Sequence, residues 1–150
     1  MPDRPPHIRR SRRTDFNAVM KLLATSGIPV PPPDRATLRR FRHIVADLGT
    51  DFYLALVDGT PVGLVHVTYA RALTHGPRAG LNQLVVADSF RHRGIGAALL
   101  DFAARRARKR GCTILSCALP AAGASLRELF AKTGLEPGGE WFVKRLRSDE

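Results

Sequence analysis

One segment near the middle of the chain limits its possible folds more than any other. Residues 81–87 are mostly apolar and predict a β-strand, and residues 94–110 predict an amphipathic helix. Between them lies the basic, glycine-containing turn Arg91-His92-Arg93-Gly94-Ile95-Gly96. The first N–H groups of a helix have no partner within it, and glycines leave room for a ligand beside the backbone. The segment therefore predicts a binding site for a pyrophosphate-like anion.

Two well-known pyrophosphate-binding patterns do not match this turn. A P-loop requires Gly-x-x-x-x-Gly-Lys-Ser/Thr, and no such lysine follows the glycines here. A dinucleotide-binding fold requires Gly-x-Gly-x-x-Gly after an early strand. In this chain Leu99 stands in place of the third glycine, and the turn follows the third or fourth predicted strand. An ordinary glycine-rich connection without a ligand is the remaining alternative.

The rest of the chain mixes helical and strand patterns. Apolar residues at helical spacing predict one helix from Thr14 to Gly27 and another from Asp34 to Gly49. Asp58-Gly59 predicts a tight hairpin turn, residues 71–80 a loop, and residues 124–133 a fourth helix. The predicted strands are residues 7–10, 52–57, 62–69, 81–87, 112–119 and 141–146. This order indicates a mixed sheet with helices on its faces, in one domain over residues 1–150.

The chain is strongly basic, with 24 lysines and arginines against 13 acidic residues and a formal net charge of +11. Such a charge raises the question of nucleic-acid binding. The basic residues are spread over the whole chain, with local clusters at 9–13, 35–42 and 105–110. Because no single basic stripe stands out, we do not expect nucleic acid as the partner.

Other features point to a soluble cytoplasmic protein without a metal. No apolar run approaches the roughly 20 residues that a membrane-spanning helix needs, and the basic start of the chain has no apolar core behind it. Cys112 and Cys117 lie on one predicted strand in an arrangement that disfavours a disulfide, and two ligands do not make a zinc site.

The turn also resembles that of a known enzyme family. Residues Arg91 to Gly96 match the R-x-x-G-x-G/A motif of the GCN5-related N-acetyltransferase (GNAT) superfamily, and residues 129–135 resemble its FYEKLGF segment. The order of elements agrees over nearly the whole chain. Together, the element order and the resemblance predict an α/β fold of the acyl-CoA N-acyltransferase type: a mixed, mostly antiparallel sheet of six or seven strands, flanked by four helices.

The resemblance implies a site for acetyl-coenzyme A. Backbone N–H groups of the turn would hold the pyrophosphate, and the preceding strand would bind the pantetheine arm and the acetyl carbonyl. Residues 112–119 would form the other side of the opening that the arm fills. The implied cofactor-binding residues are Val85, Val86, Arg91, His92, Arg93, Gly94, Ile95, Gly96 and Ala97.

The sequence departs from the family at its acid–base positions. Many relatives carry a glutamate where this chain has Asn82 and a tyrosine where it has Phe130, and Gly123 replaces a usual asparagine. Neither Asn82 nor Phe130 can transfer a proton at neutral pH. His66, on an adjacent predicted strand, is therefore the candidate proton relay, and Asn82 could orient a water or the acceptor.

These observations predict an N-acetyltransferase in which a primary amine attacks acetyl-CoA directly. The acceptor would be a small molecule or a peptide, no metal is implied, and a homodimer would be common for the family. Loss of part of the acid–base help typically costs about 10²–10⁴-fold in rate, so it weakens a site without abolishing it. The alternatives are a non-catalytic acyl-CoA-binding module and, third, a basic nucleic-acid or ribosome-associated binder.

Overall fold

A computed structural model describes residues 4–118 and 124–146 of the chain. These residues form five strands: β1 (His7–Arg10), β2 (Asp51–Val57), β3 (Thr60–Ala72), β4 (His75–Val86) and β5 (Leu115–Ser116). The four helices are α1 (Phe16–Leu23), α2 (Arg35–Ala46), α3 (Ile95–Lys109) and α4 (Ala124–Thr133). Short 3-10 turns at Arg13–Asp15 and Asp88–Phe90 precede α1 and α3. No helix in these ranges is long and apolar enough to cross a membrane.

The strands form one mixed sheet in the order β1-β2-β3-β4-β5. The first four pair antiparallel, and β5 runs parallel to β4. Helices α1 and α2 cover one face of the sheet, and α3 and α4 cover the other. Alternate side chains of β2 point to opposite faces, so Phe52 and Leu54 pack with α1 and α2 while Ala55 packs with α3. The predicted α/β fold is confirmed.

The sheet has fewer strands than the six or seven predicted. Residues 141–146 form no strand, and the described part of the chain leaves their large apolar side chains uncovered: Trp141 is 71% exposed and Phe142 is 84% exposed. The strand predicted at residues 112–119 is shortened to Leu115–Ser116, and its last residue lies outside the described ranges. A period-2 pattern favours a strand but cannot supply the neighbouring strand that pairs with it.

The loop predicted at residues 71–80 is a continuation of the β3–β4 hairpin. The two strands stay paired up to Ala72 and His75. Pro77 has no N–H to donate, and it lies opposite a register shift between Ala70 and Ala72, where such a donor is not needed. Glycine and proline in this segment therefore mark a bulge rather than a loop.

The helix starts were predicted with mixed success. Asp34 is the N-cap of α2, as predicted, and its carboxylate accepts a hydrogen bond from the Thr37 N–H at 2.9 Å. Thr14 does not cap α1. Asp15 instead accepts the Arg12 N–H at 2.6 Å and pairs with the Arg9 guanidinium at 2.8 Å. A carboxylate that binds both a backbone donor and a cation holds this chain reversal more firmly than a hydroxyl would.

A buried carboxylate joins the sheet to the C-terminal end of α3. Asp51 is 2% exposed and lies 2.9 Å from the Arg110 guanidinium and 3.1 Å from that of Arg106. The Tyr69 hydroxyl also donates to it. Burial raises the pKa of Asp51, but hydrogen bonds from Arg110, Tyr69 and Arg106 outweigh this and hold it below its usual range. Asp51 is therefore charged at neutral pH and fixes β2, β3 and α3 together.

We expect Asp51→Asn to lower the free energy of unfolding by about 3 kcal/mol, because it leaves two arginines without their buried counter-ion. The matched control is Asp101→Asn, which removes an exposed carboxylate 3.1 Å from Arg105 on the same helix and should cost less than about 1 kcal/mol. Urea unfolding measures both. Equal losses in the free energy of unfolding of the two variants would contradict this account.

Folding lowers the pKa of Asp51. The stability that this carboxylate contributes should therefore persist above about pH 4 and be lost below it.

Candidate functional site

A cleft of about 650 Å³ opens where β4 ends and α3 begins. The end of β4, the following turn, the first turn of α3 and one side of α4 form its walls. It is lined by Ser26, Ile28, Leu84, Val85, Val86, Phe90, Arg91, His92, Gly94, Ile95, Gly96, Ala97, Leu126, Glu128, Leu129 and Lys132. All of the cofactor residues predicted from sequence line this cleft except Arg93.

The backbone at the start of α3 presents free donors to the cleft. The first hydrogen bond of the helix runs from the Ala98 N–H to the Gly94 carbonyl, at 3.0 Å. Among the described residues, the N–H groups of Ile95, Gly96 and Ala97 have no acceptor. Three free donors at the positive end of a helix dipole form a site suited to a phosphate group.

Two left-handed residues shape the turn that precedes these donors. Gly94 is the N-cap of α3 with φ of +80°, and His92 has φ of +63° although it is not a glycine. Left-handed residues occur in the concave backbone turns that bind anions. A left-handed histidine costs conformational energy, which is typical of a binding loop.

The two arginines of the turn have different surroundings. Arg91 lines the cleft, and its guanidinium lies 3.0 Å from the Asp88 carboxylate. This ion pair is exposed, so an anionic ligand could replace Asp88 at a small cost in free energy. Arg93 is not among the lining residues, and its guanidinium carbon lies 4.9 Å from the centre of the Phe90 ring. Arg91 is thus available to an anion in the cleft, while Arg93 packs against the turn.

Gly94 and Gly96 both line the cleft but have different surroundings. A Cβ at Gly96 would lie 3.1 Å from Leu129 Cδ2 and 3.7 Å from Val86 Cγ2, two side chains of the cleft wall. The missing side chain therefore lets α4 pack against α3. A Cβ at Gly94 would meet nothing within 4 Å.

The inner wall of the cleft is an unpaired edge of the sheet. β4 pairs with β5 only through Ala79 and Gly80, whereas it remains paired with β3 up to Val86. Within the described residues, the β5 side of residues 81–86 has no partner strand. An extended chain of a ligand could hydrogen-bond there as an additional strand does.

Sequence reasoning missed the parts of the cleft that come from elsewhere in the chain. Ser26 and Ile28 come from the connection between α1 and α2, and Glu128 and Lys132 lie one turn apart on α4. The resemblance of residues 129–135 to the family segment was the one signal that pointed to α4. Nothing local marks Ser26 or Ile28.

His66 lies on β3, next to the cleft-forming strand but outside the cleft lining. Its ring centre is 5.1 Å from that of Phe52, on the face covered by α1 and α2. Its Nε2 is buried and has no hydrogen-bond partner among the described residues. Burial disfavours the imidazolium and lowers the pKa of His66 below its usual value. The ring is therefore neutral at pH 7 and is a weaker base than an exposed histidine.

Asn82 lies at a bulge opposite His66. The register shifts between His66 and Val67, which pair with Gln83 and Leu81, so Asn82 has no partner on β3. Its side-chain amide is exposed and donates to Thr68 Oγ1 at 2.7 Å. The bulge thus brings the two residues predicted as catalytic to one place in the sheet, a type of irregularity that often lies beside active sites.

No tyrosine hydroxyl reaches the cleft in the described part of the chain. Phe130, at the family's tyrosine position, is 9% exposed and packs in the core below α3. The hydroxyl of Tyr69 donates a hydrogen bond to Asp51. Burial is the larger cause that raises the pKa of Tyr69, and the hydrogen bond to Asp51 raises it further. Gly123 lies outside the described residues.

Within the described residues, no group of three His, Cys, Asp or Glu side chains is arranged to hold a metal.

One family profile matches most of the chain. The sequence profile described as "Acetyltransferase (GNAT) family" matches residues 16–135. No curated protein sequence gives a significant match.

Solved structures share the fold over almost the whole chain. A transcriptional regulator from Bacillus halodurans C-125 superposes with a TM-score of 0.83 at 22% identity, covering 94% of this chain and 99% of the other. The aminoglycoside N-acetyltransferase AAC(6')-Iy in complex with CoA gives 0.81 at 21% identity, covering 96% and 97%. The ribosomal-protein-alanine N-acetyltransferase from Brucella melitensis biovar Abortus 2308 gives 0.76 at 22% identity, covering 96% and 99%.

We expect the His66 ring to titrate below pH 6.5, the usual value for histidine, in an NMR titration. Because the unfolded chain then binds the proton more tightly, stability should fall as the pH drops below about 6.5. His66→Gln should remove this dependence, which begins near about pH 6.5, whereas that of Asp51 begins near about pH 4. A His66 ring that titrates above 6.5 would show that burial does not control it.

Proposed function

The chain belongs to the acetyltransferase (GNAT) family, and we propose that it transfers an acetyl group from acetyl-CoA to the primary amine of an acceptor. One observation carries this proposal. A single cleft combines three free N–H groups at the start of α3 with an unpaired edge of β4. The first feature suits a pyrophosphate and the second suits an extended amide-containing arm, and coenzyme A has both.

The residues of the cleft fit acetyl-CoA by their chemistry. The N–H groups of Ile95, Gly96 and Ala97 would bind phosphate oxygens, and Arg91 would add a charged contact. The backbone at Val85 and Val86 would bind the pantetheine arm and the acetyl carbonyl. Lys132 on α4 supplies a further positive charge at the wall. Bound acetyl-CoA would supply the acetyl group as a thioester that a neutral amine attacks directly.

The chain would contribute mainly positioning, with modest proton transfer. A thioester held in a fixed cleft beside an amine reacts faster because the two groups need not find each other. The proton lost by the amine would pass to His66, whose unpaired Nε2 is neutral at pH 7. Asn82 would orient the acceptor or a water at the bulge. With Phe130 in the core, the departing thiolate would be protonated by solvent.

The acceptor would be a small molecule or a peptide amine. Among the structural neighbours, AAC(6')-Iy is by name an aminoglycoside N-acetyltransferase, and the Brucella enzyme is by name a ribosomal-protein-alanine N-acetyltransferase.

We also propose a cytoplasmic location, which agrees with the two free cysteines, Cys112 and Cys117. A homodimer is proposed from the family resemblance alone.

A non-catalytic acyl-CoA-binding module is the second candidate. It is favoured by the absence of side-chain acids and bases at the usual positions, where Asn82 and Phe130 stand. Steady-state release of free CoA in the presence of a panel of amines separates the two functions. An enzyme turns over with at least one amine class, whereas a binding module releases no CoA above the rate of hydrolysis.

We expect Gly94→Ala to weaken acetyl-CoA binding by about tenfold, because a left-handed alanine costs about 1–2 kcal/mol and its Cβ would enter the cleft. Calorimetry measures the affinity. Gly59→Ala is the matched control, since Gly59 has φ of +78° in the β2–β3 turn and a Cβ there meets nothing within 4 Å. Both variants should lose similar stability, but only Gly94→Ala should lose affinity. Equal affinities would place the ligand elsewhere.

We expect kcat/KM to fall at acid pH with an apparent pKa below about 6.5, as His66 becomes protonated. His66→Gln should lower the rate and remove this limb from the profile. Asn82→Ala should lower the rate modestly and leave the limb in place. A His66→Gln enzyme with an unchanged rate and profile would exclude the relay.

A further inference from the structure

The fold brings together two arginine clusters that are separate in sequence. Two adjoining depressions lie between α2 and the 3-10 turn before α1, and both are lined by Arg13, Leu38 and Arg42. Arg35 and Arg39 line the second one. We call this surface the arginine groove and define it by Arg13, Arg35, Arg39 and Arg42. It shares no lining residue with the cleft at the start of α3.

The four guanidinium groups are exposed. Among the described residues, none of them lies within salt-bridge distance of a carboxylate. The nearby Asp15 is bound by Arg9 and by the Arg12 N–H. Asp34 and Asp47 lie at the two ends of α2, where each accepts a backbone hydrogen bond. The groove is therefore a local excess of positive charge on an already basic chain.

The spacing of the arginines is regular. Arg35, Arg39 and Arg42 are at i, i+4 and i+7 on one face of α2, which corresponds to about 10 Å along the helix axis. One strand of a nucleic-acid duplex presents a phosphate about every 3.4 Å of axis. The length of the row therefore corresponds to about three phosphate steps along one strand, and Arg13 adds a charge beside it.

We propose that the arginine groove binds the phosphate backbone of nucleic acid without reading its sequence. Guanidinium groups pair with phosphate oxygens in a fixed, two-pronged geometry. A membrane surface fits less well, because none of the large apolar side chains that are exposed in the described residues lies on α2 or the preceding turn. This departs from the expectation drawn from sequence, where the basic residues looked scattered because their contact across the fold was not visible.

The test is fluorescence anisotropy with a labelled 20-base-pair duplex of mixed sequence, titrated at several salt concentrations. The variant is Arg39→Gln/Arg42→Gln. Its matched control is Arg108→Gln/Lys109→Gln, which removes the same charge from exposed positions at the end of α3, on the opposite face of the sheet. Unchanged acetyl-CoA binding and circular dichroism show that each protein is folded.

We expect the groove variant to bind the duplex several-fold more weakly and to reduce the slope of log K against log salt by about 2. The control should keep most of the slope. Equal losses in both variants would mean that net charge alone attracts the duplex, and would overturn the proposal. So would a wild-type Kd above about 10⁻⁴ M at physiological salt, or tighter binding to phosphatidylserine vesicles or polyglutamate than to the duplex.

Discussion

The position of α3 depends on one buried carboxylate. Asp51 holds Arg106 and Arg110 from the last turns of the helix and the hydroxyl of Tyr69 from β3. At the other end of α3, Ile95 and Leu99 are buried in the apolar core. Fixed at one end by charge and along its length by packing, α3 directs its free N–H groups toward the end of β4. The orientation of these N–H groups thus depends in part on contacts made about 15 Å away along the helix.

Local features of the chain were predictable from its sequence, and pairing between distant segments was not. The bounds of α3 and α4 follow from apolar spacing and flanking glycines, and Asp58-Gly59 forms the predicted turn with φ of +50° and +78°. The long β3–β4 hairpin and the absence of a strand at residues 141–146 depend on which neighbours are available. Such information does not lie in the segment itself.

The candidate site shows the same difference between local features and contacts of distant segments. The segment predicted to bind the cofactor is continuous in sequence, and the structure places it in the wall of the cleft. The two residues predicted as catalytic depend on a bulge that places Asn82 opposite His66, and the far wall of the cleft depends on α4 and the α1–α2 connection. The arginine groove is a further example, since Arg13 and Arg42 become neighbours only in the folded chain. Backbone sites can be read from sequence more readily than surfaces assembled from side chains.

The different surroundings of Gly94 and Gly96 account for the form of the R-x-x-G-x-G/A motif. Gly94 needs a left-handed backbone, which alanine adopts only at a cost, so the first position is restricted to glycine. Gly96 has ordinary helical geometry and faces the mobile end of Leu129. A methyl group there can be accommodated when the facing side chain on α4 is smaller or shifts. The size of residue 96 should therefore vary together with that of residue 129 in related chains, so that part of an apparent ligand motif records the packing of two helices.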